Sequence, residues 1–128
     1  MAEYKPILHF FVHLPAFIKD MYQELLQKDK KLAVIGLGYV GLPIALEFAK
    51  TLQVIGFDIN EKRVQMMQSG IDPSKELDSD AFTNCSIEFT SDIEKLKEAN
   101  FYIVAVPTPV DTHNVPDLTP VLKASETI

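Results

Sequence analysis

Residues 31–42 read KLAVIGLGYVGL, a run of β-formers that breaks into three glycines spaced G-x-G-x-x-G. No other stretch constrains the fold as much. Leu32–Ile35 is apolar without alternation. That pattern belongs to a strand covered on both faces, and such strands lie in parallel sheets flanked by helices. The glycines lead straight into a helix expected over about 39–50, with Val40, Ile44, Ala45 and Phe48 on one side. Pro43 falls near its first turn, where a missing amide hydrogen does least harm.

The same rhythm continues down the chain. Residues 53–57 read as a second strand, and Asn60 caps a second helix that ends before Gly70. Residues 70–85 read as loop, and 87–89 as a short third strand. Ser91-Asp92-Ile93-Glu94 has the form of a capping box and predicts a helix through about Ala99. FYIVAV, residues 101–106, is a fourth strand, apolar throughout; after a proline-rich loop, Asp117 or Thr119 caps a last helix, with Pro120 near its first turn. Strand and helix alternating in this way form right-handed βαβ crossovers and an α/β, Rossmann-type doubly wound parallel sheet. The expected strand order is 3-2-1-4, with strand four as a raw edge. A full sheet of this kind has about six strands, so the sequence is expected to be the front part of a longer protein.

A lone G-x-G-x-x-G is weak evidence of a ligand. Here the second strand also ends in an acid, Asp58, 22 residues after Gly36 and 17 after Gly41, and the dinucleotide fingerprint expects that acid roughly 20 residues on. Each position has a task. Gly36 permits a tight turn off the strand, Gly38 lets a pyrophosphate approach the backbone, and Gly41 lets the helix pack close. Unpaired amides and the helix dipole at that tip favour a negative group. Asp58 can accept hydrogen bonds from ribose hydroxyls and repels a 2′-phosphate, so NAD is expected over NADP; it can also help start the next helix. Arg63 tempers this preference, because arginine can neutralise a 2′-phosphate, and it can equally hold the adenine side or the phosphates of NAD.

Composition narrows the remaining classes. A formal net charge of -6 disfavours binding to nucleic-acid backbones, which calls for a basic face. No apolar run approaches the ~20 residues needed to span a bilayer. The single cysteine, Cys85, suits a reducing compartment and hence a cytoplasmic location. Residues 7–18, ILHFFVHLPAFI, hold two histidines and a proline and are followed by no small-residue cleavage site, so they read as no signal peptide.

Residues 1–30 read as an N-terminal extension and 31–128 as the domain. Ile18, Met21, Tyr22, Leu25 and Leu26 make one apolar helix face, which must lie on the domain or on a partner chain; Pro15 falls near that helix's start. Met21 is an alternative start, which would make residues 1–20 dispensable.

VIGLGYVGLPIALEFA, then VIGFDIN with Arg63, then VAVPTPVDTHNVPDLTPV resemble the N-terminal NAD-binding domain of UDP-glucose/GDP-mannose dehydrogenases. The resemblance covers residues 31–128, and the turn through Val106, Pro107, Thr108 and Pro109 is more discriminating than the glycines. Residues 111–118 further resemble the branch acting on UDP-N-acetylhexosamines, including enzymes of Vi polysaccharide biosynthesis. The resemblance implies oxidation of the C6 alcohol of a UDP-sugar to a carboxylate by two NAD molecules in succession, in a homodimer. By position, Gly36, Leu37, Gly38, Tyr39, Val40 and Gly41 would lie along the pyrophosphate. Asp58 and Ile59 would meet the adenosine ribose, with Arg63 beside them. Val106, Pro107 and Thr108 would sit near the cofactor.

The family's nucleophilic cysteine belongs to a glycine-rich motif far downstream that these residues do not contain. Cys85 has no neighbouring histidine or lysine in sequence and does not replace it. These 128 residues are therefore expected to bind cofactor and not to turn over. Alternatives are a stand-alone NAD-binding regulatory module, or the NAD domain of another hydroxyacid or hydroxyacyl-type dehydrogenase. His9 and His13 stand four apart but lack a third ligand, and packing is the simpler role. His113 reads as a solvated loop residue. Met66 and Met67 read as helix packing, and Glu94, Lys95, Lys97 and Glu98 as a solvated face. No metal site is expected.

Overall fold

The computed structural model describes residues 16–128. His9, His13, Pro15 and most of the apolar stretch 7–18 fall outside the described residues. Four parallel strands, β1 (Leu32–Ile35), β2 (Val54–Phe57), β3 (Ile87–Thr90) and β4 (Phe101–Val104), form one sheet in the order β3-β2-β1-β4. Leu32 pairs with Val54 on one side and Phe101 on the other, and the register holds to Ile35 against Phe57 and Val104. The fold class and the strand order are those the sequence predicts.

Side-chain alternation splits β1 between two cores. Leu32 and Val34 face helices α1 (Ala16–Leu26), α2 (Gly41–Ala49) and α3 (Glu61–Gln68). Ala33 and Ile35 face a short 3-10 turn at Ile93–Glu98 and the last helix, α4 (Thr119–Thr127). Both faces of the strand are thus dry, which explains its unbroken apolar run. Among the described residues no helix is long and apolar enough to cross a membrane.

Helix α1 lies on the domain. Leu25 is buried in the first core and Met21 packs against it, while Phe17, Tyr22 and Leu26 stay exposed. Burying one leucine stabilises by about 2 kcal/mol, so Leu25 is the main anchor. Lys28, with φ at 64°, ends the helix, and a Lys30–Glu24 ion pair spans the turn toward β1.

The structure departs from the sequence reading in several local details. Helix α2 begins at Gly41 rather than at Tyr39, and its inward face is Leu42, Ala45, Leu46 and Ala49, while Val40 and Phe48 are exposed. The glycine loop sets the helix close to the sheet, and the face that turns in mixes two leucines with two alanines. The segment after β3 is a 3-10 turn capped by Asp92, whose carboxylate accepts from the Glu94 amide; Ser91 is not its cap. Strand β4 stops at Val104 and is half-buried, with Phe101 exposed at the sheet edge. The loop over 70–85 carries one 3-10 turn, Ser79–Phe82. Asn60 caps α3 as expected, accepting from Lys62 and Arg63 amides.

Candidate functional site

Two of the three loop glycines are demanded by the fold. Gly36 has φ at +92°, and a Cβ there would come within 2.8 Å of the Ala105 carbonyl oxygen. Its amide donates to the Phe57 carbonyl at 2.9 Å, continuing the β1–β2 ladder into the turn. At Gly41 a Cβ would stand 1.7 Å from the Gly36 carbonyl oxygen, so α2 leaves the strand at a distance only glycine allows. Gly38 is different: a Cβ there would meet nothing within 4 Å. The fold does not need a bare backbone at 38, so its side is open to a ligand. Helix α2 starts with no side-chain cap and no acidic residue in its first turn; the Leu42 amide is taken by the Gly38 carbonyl and Pro43 has none, leaving the Gly41 amide and the dipole for an anion.

The acid after β2 closes on this loop. Asp58, its side chain 14% exposed, accepts from the Leu37 amide through Oδ2 at 3.1 Å and from the Asn60 amide through Oδ1 at 2.9 Å. A carboxylate offers about four acceptor positions, and two remain for hydroxyls. Arg63, from α3, donates through Nη2 to the Leu37 carbonyl at 3.0 Å, with its Nε 4.0 Å from Asp58 Oδ2. The Leu37 peptide is therefore held on both sides, while its side chain is fully buried. Sequence reasoning put Asp58 and Arg63 near a ligand but missed their grip on the loop, because contacts across 21 and 26 residues leave no local signal.

A cleft of about 400 Å³ opens at the carboxyl ends of β1 and β2. Its floor is Ile35, Gly36, Phe57, Asp58 and Ile59, and Val106 and Pro107 close one side. Helix α4 supplies Thr119 and Lys123, and Asp117 just before it completes this wall; none of the three was expected in the cleft from the sequence. Of the residues singled out beforehand, Gly36, Asp58, Ile59, Val106 and Pro107 line this cleft. Leu37, Gly38, Tyr39, Val40 and Gly41 form the adjoining loop and helix tip, with Tyr39 and Val40 well exposed. Arg63 lies behind that loop, and Thr108 is exposed beyond the cleft.

Asp117 accepts from the Thr119 amide at 2.9 Å. The Thr119 hydroxyl first, and then that amide, hold its carboxyl below the ordinary aspartate range. It is anionic at neutral pH, with Lys123 in the same cleft to offset it. The volume is typical of small-ligand pockets, ~300–1,000 Å³. Apolar walls suit a flat base, the Asp58 carboxylate suits ribose hydroxyls, and the uncapped helix suits a diphosphate.

Cys85 lies just before β3, at the amino ends of the strands and so across the sheet from this cleft. Its Sγ sits 3.5 Å from the Leu46 and Ala81 carbonyl oxygens. Among the described residues no cluster of three or more His, Cys, Asp or Glu side chains could hold a metal ion.

Residues 30–128 match the UDP-glucose/GDP-mannose dehydrogenase family, NAD binding domain. The chain is 54% identical over 101 residues to the UDP-N-acetyl-D-glucosamine 6-dehydrogenase of Salmonella typhi, covering 78% of this chain and 24% of that protein. It is 51% identical over 102 residues to the enzyme of the same name from Pseudomonas aeruginosa, covering 79% of this chain and 24% of that one. Among solved structures, the UDP-N-acetyl-mannosamine dehydrogenase of Staphylococcus aureus superposes with a TM-score of 0.68 at 30% identity, over 77% of this chain and 25% of that one. The chain thus spans about a quarter of the length of the relatives it matches.

Proposed function

Because the chain belongs to the UDP-glucose/GDP-mannose dehydrogenase family, as its NAD-binding domain, we propose that the cleft and the glycine loop together hold NAD. In this reading the pyrophosphate lies over Gly38 and the Gly41 amide at the tip of α2, and the adenosine ribose meets the free lone pairs of Asp58. The adenine enters the apolar cleft between β2 and α4, beside Ile59, Val106 and Pro107. The observation that carries the reading is the open side of Gly38 next to an uncapped helix, in register with an acid that still has acceptors free.

The whole protein is proposed to oxidise the C6 alcohol of a UDP-N-acetylhexosamine to a carboxylate, the substrate class of the relatives' names. The bound dinucleotide supplies a hydride acceptor; two are reduced per sugar, and one water supplies the second carboxylate oxygen. This domain's residues bind and orient the acceptor. Asp58 and Arg63 fix the Leu37 peptide, and the α4 wall shields the base from water. Cys85 takes no part, since it lies at the opposite end of the strands. A homodimeric, cytoplasmic whole protein belongs to the same reading, and a free thiol suits that reducing compartment.

Calorimetric titration of the 128-residue chain with NAD+ tests the proposal. Weak, saturable binding at one site, lost in Asp58→Ala, is expected. Equal heats for wild type and variant would overturn the role of Asp58, and no binding by the wild type would overturn the site.

A further inference from the structure

Resting on that reading, we infer that Asp72 and Ser74 are positioning residues that hold the Arg63 guanidinium against the glycine loop, and so withhold it from a 2′-phosphate. Asp72 is the one buried charged residue among the described residues, 5% exposed. Its Oδ1 accepts from the Ser74 amide at 2.8 Å, and its Oδ2 accepts from the Glu76 and Leu77 amides at 2.9 and 3.0 Å. The chain therefore winds tightly around this carboxylate, with Lys75 at φ 59° and its amide donating back to the Asp72 carbonyl. A buried carboxylate taking three backbone donors makes a rigid turn, because charge-assisted hydrogen bonds are the strong ones.

What that turn presents is Ser74. Its Oγ lies 3.4 Å from Arg63 Nη2, the same nitrogen that donates to the Leu37 carbonyl at 3.0 Å. The guanidinium is thus flanked by Ser74 on one side and the Leu37 carbonyl on the other, with Asp58 4.0 Å from its Nε. A phosphate on the ribose hydroxyl held by Asp58 would need this cation to turn away from Leu37 and Ser74. An arginine near the ribose could tolerate either dinucleotide; one committed to the protein's own oxygens is not available to a 2′-phosphate, which then meets the Asp58 carboxylate without a cation of its own.

The test measures NAD+ and NADP+ affinities for the same chain by calorimetry. Ser74→Ala removes one partner of Nη2. It is expected to tighten NADP+ relative to NAD+ by roughly threefold, the scale of one modest hydrogen bond, with NAD+ itself changed by less than about twofold. Ser74→Thr, which keeps the hydroxyl, is expected to restore the wild-type ratio. Asp72→Asn loosens the whole turn and is expected to shift the ratio the same way; should it fail to fold, Ser74→Ala decides. An unchanged ratio in Ser74→Ala, no measurable NADP+ binding by that variant, or a parallel loss for both dinucleotides overturns the inference. These outcomes with normal NAD+ binding by the wild type leave the proposed cofactor site standing. Loss of NAD+ binding by the wild type itself overturns both.

Discussion

Asp58 and Leu37 are joined across the sheet, the carboxylate Oδ2 accepting the Leu37 amide at 3.1 Å. The acid that faces the cleft is therefore also a tie holding the glycine loop to the end of β2. Asp58→Ala removes both functions, and Asp58→Asn keeps one acceptor for the Leu37 amide. Asp58→Ala is expected to lower stability by about 1–2 kcal/mol, the cost of leaving a part-buried amide unpaired, and to weaken NAD+ by tenfold or more (roughly one lost charged hydrogen bond). Asp58→Asn is expected to retain most of the stability while losing preference for NAD+ over NADP+. Urea unfolding alongside titration of both dinucleotides separates the two effects.

Gly38 and Gly41 respond in opposite ways. Alanine at Gly41 would put a methyl 1.7 Å from the Gly36 carbonyl oxygen, so α2 must move; a loss of about 3 kcal/mol is expected, the upper range for overpacking. Gly38→Ala meets nothing within 4 Å and is expected to leave the urea midpoint nearly unchanged. Its methyl instead occupies the path proposed for the pyrophosphate, and NAD+ binding is expected to fall by roughly tenfold, or about 1.4 kcal/mol. A stable Gly38→Ala chain that still binds NAD+ normally would show that the diphosphate passes elsewhere.

Leu25 carries the docking of α1. Leu25→Ala empties a buried site in the first core and is expected to cost about 2–3 kcal/mol. Phe17→Ala, at an exposed position of the same helix, is expected to cost almost nothing. Denaturant midpoints for the two variants check the assignment, and hydrogen exchange in α1 should rise only in the first.

The start of α4 responds to acid. The Asp117 carboxyl is held below its ordinary range by the Thr119 hydroxyl and amide. A carboxyl depressed in the folded state stabilises it above the unfolded-chain value near pH 4 and loses that contribution as pH falls through the lower folded value. Asp117→Asn is expected to flatten the acid limb of a stability–pH curve below about pH 4, because it removes the contribution at neutral pH and leaves the acid end, where Asp117 is protonated, little changed. Glu98 is lowered in the same sense, chiefly by its hydrogen bond to Lys31 and then by that to Lys95, so a residual acid limb remains, weaker at high salt. An acid limb identical in Asp117→Asn and wild type would remove Asp117 from this account.

The misread details share a cause. The apolar positions of α2 permit two adjacent faces, and periodicity alone favoured Val40, Ile44, Ala45 and Phe48; of these Ala45 does face inward, while the close approach set by Gly36 and Gly41 brings Leu42, Leu46 and Ala49 in beside it and leaves Val40 and Phe48 exposed. Ser91 and Glu94 have capping-box spacing, yet Asp92 takes the Glu94 amide, because the short crossover between β3 and β4 has room for a 3-10 turn only. Asp117, Thr119 and Lys123 were invisible as cleft residues because nothing local says which wall α4 will form.

The order of elements, the parallel sheet and the glycine–acid pairing were set in the sequence itself, since they follow from short-range periodicity, turn chemistry and one fixed spacing. Tertiary structure alone decided that Arg63 grips the Leu37 carbonyl, that Ser74 meets the same guanidinium, and that α4 walls the cleft. Those outcomes depend on side chains from separate elements meeting after the sheet has formed, and their energies are pairwise contacts that no single segment encodes.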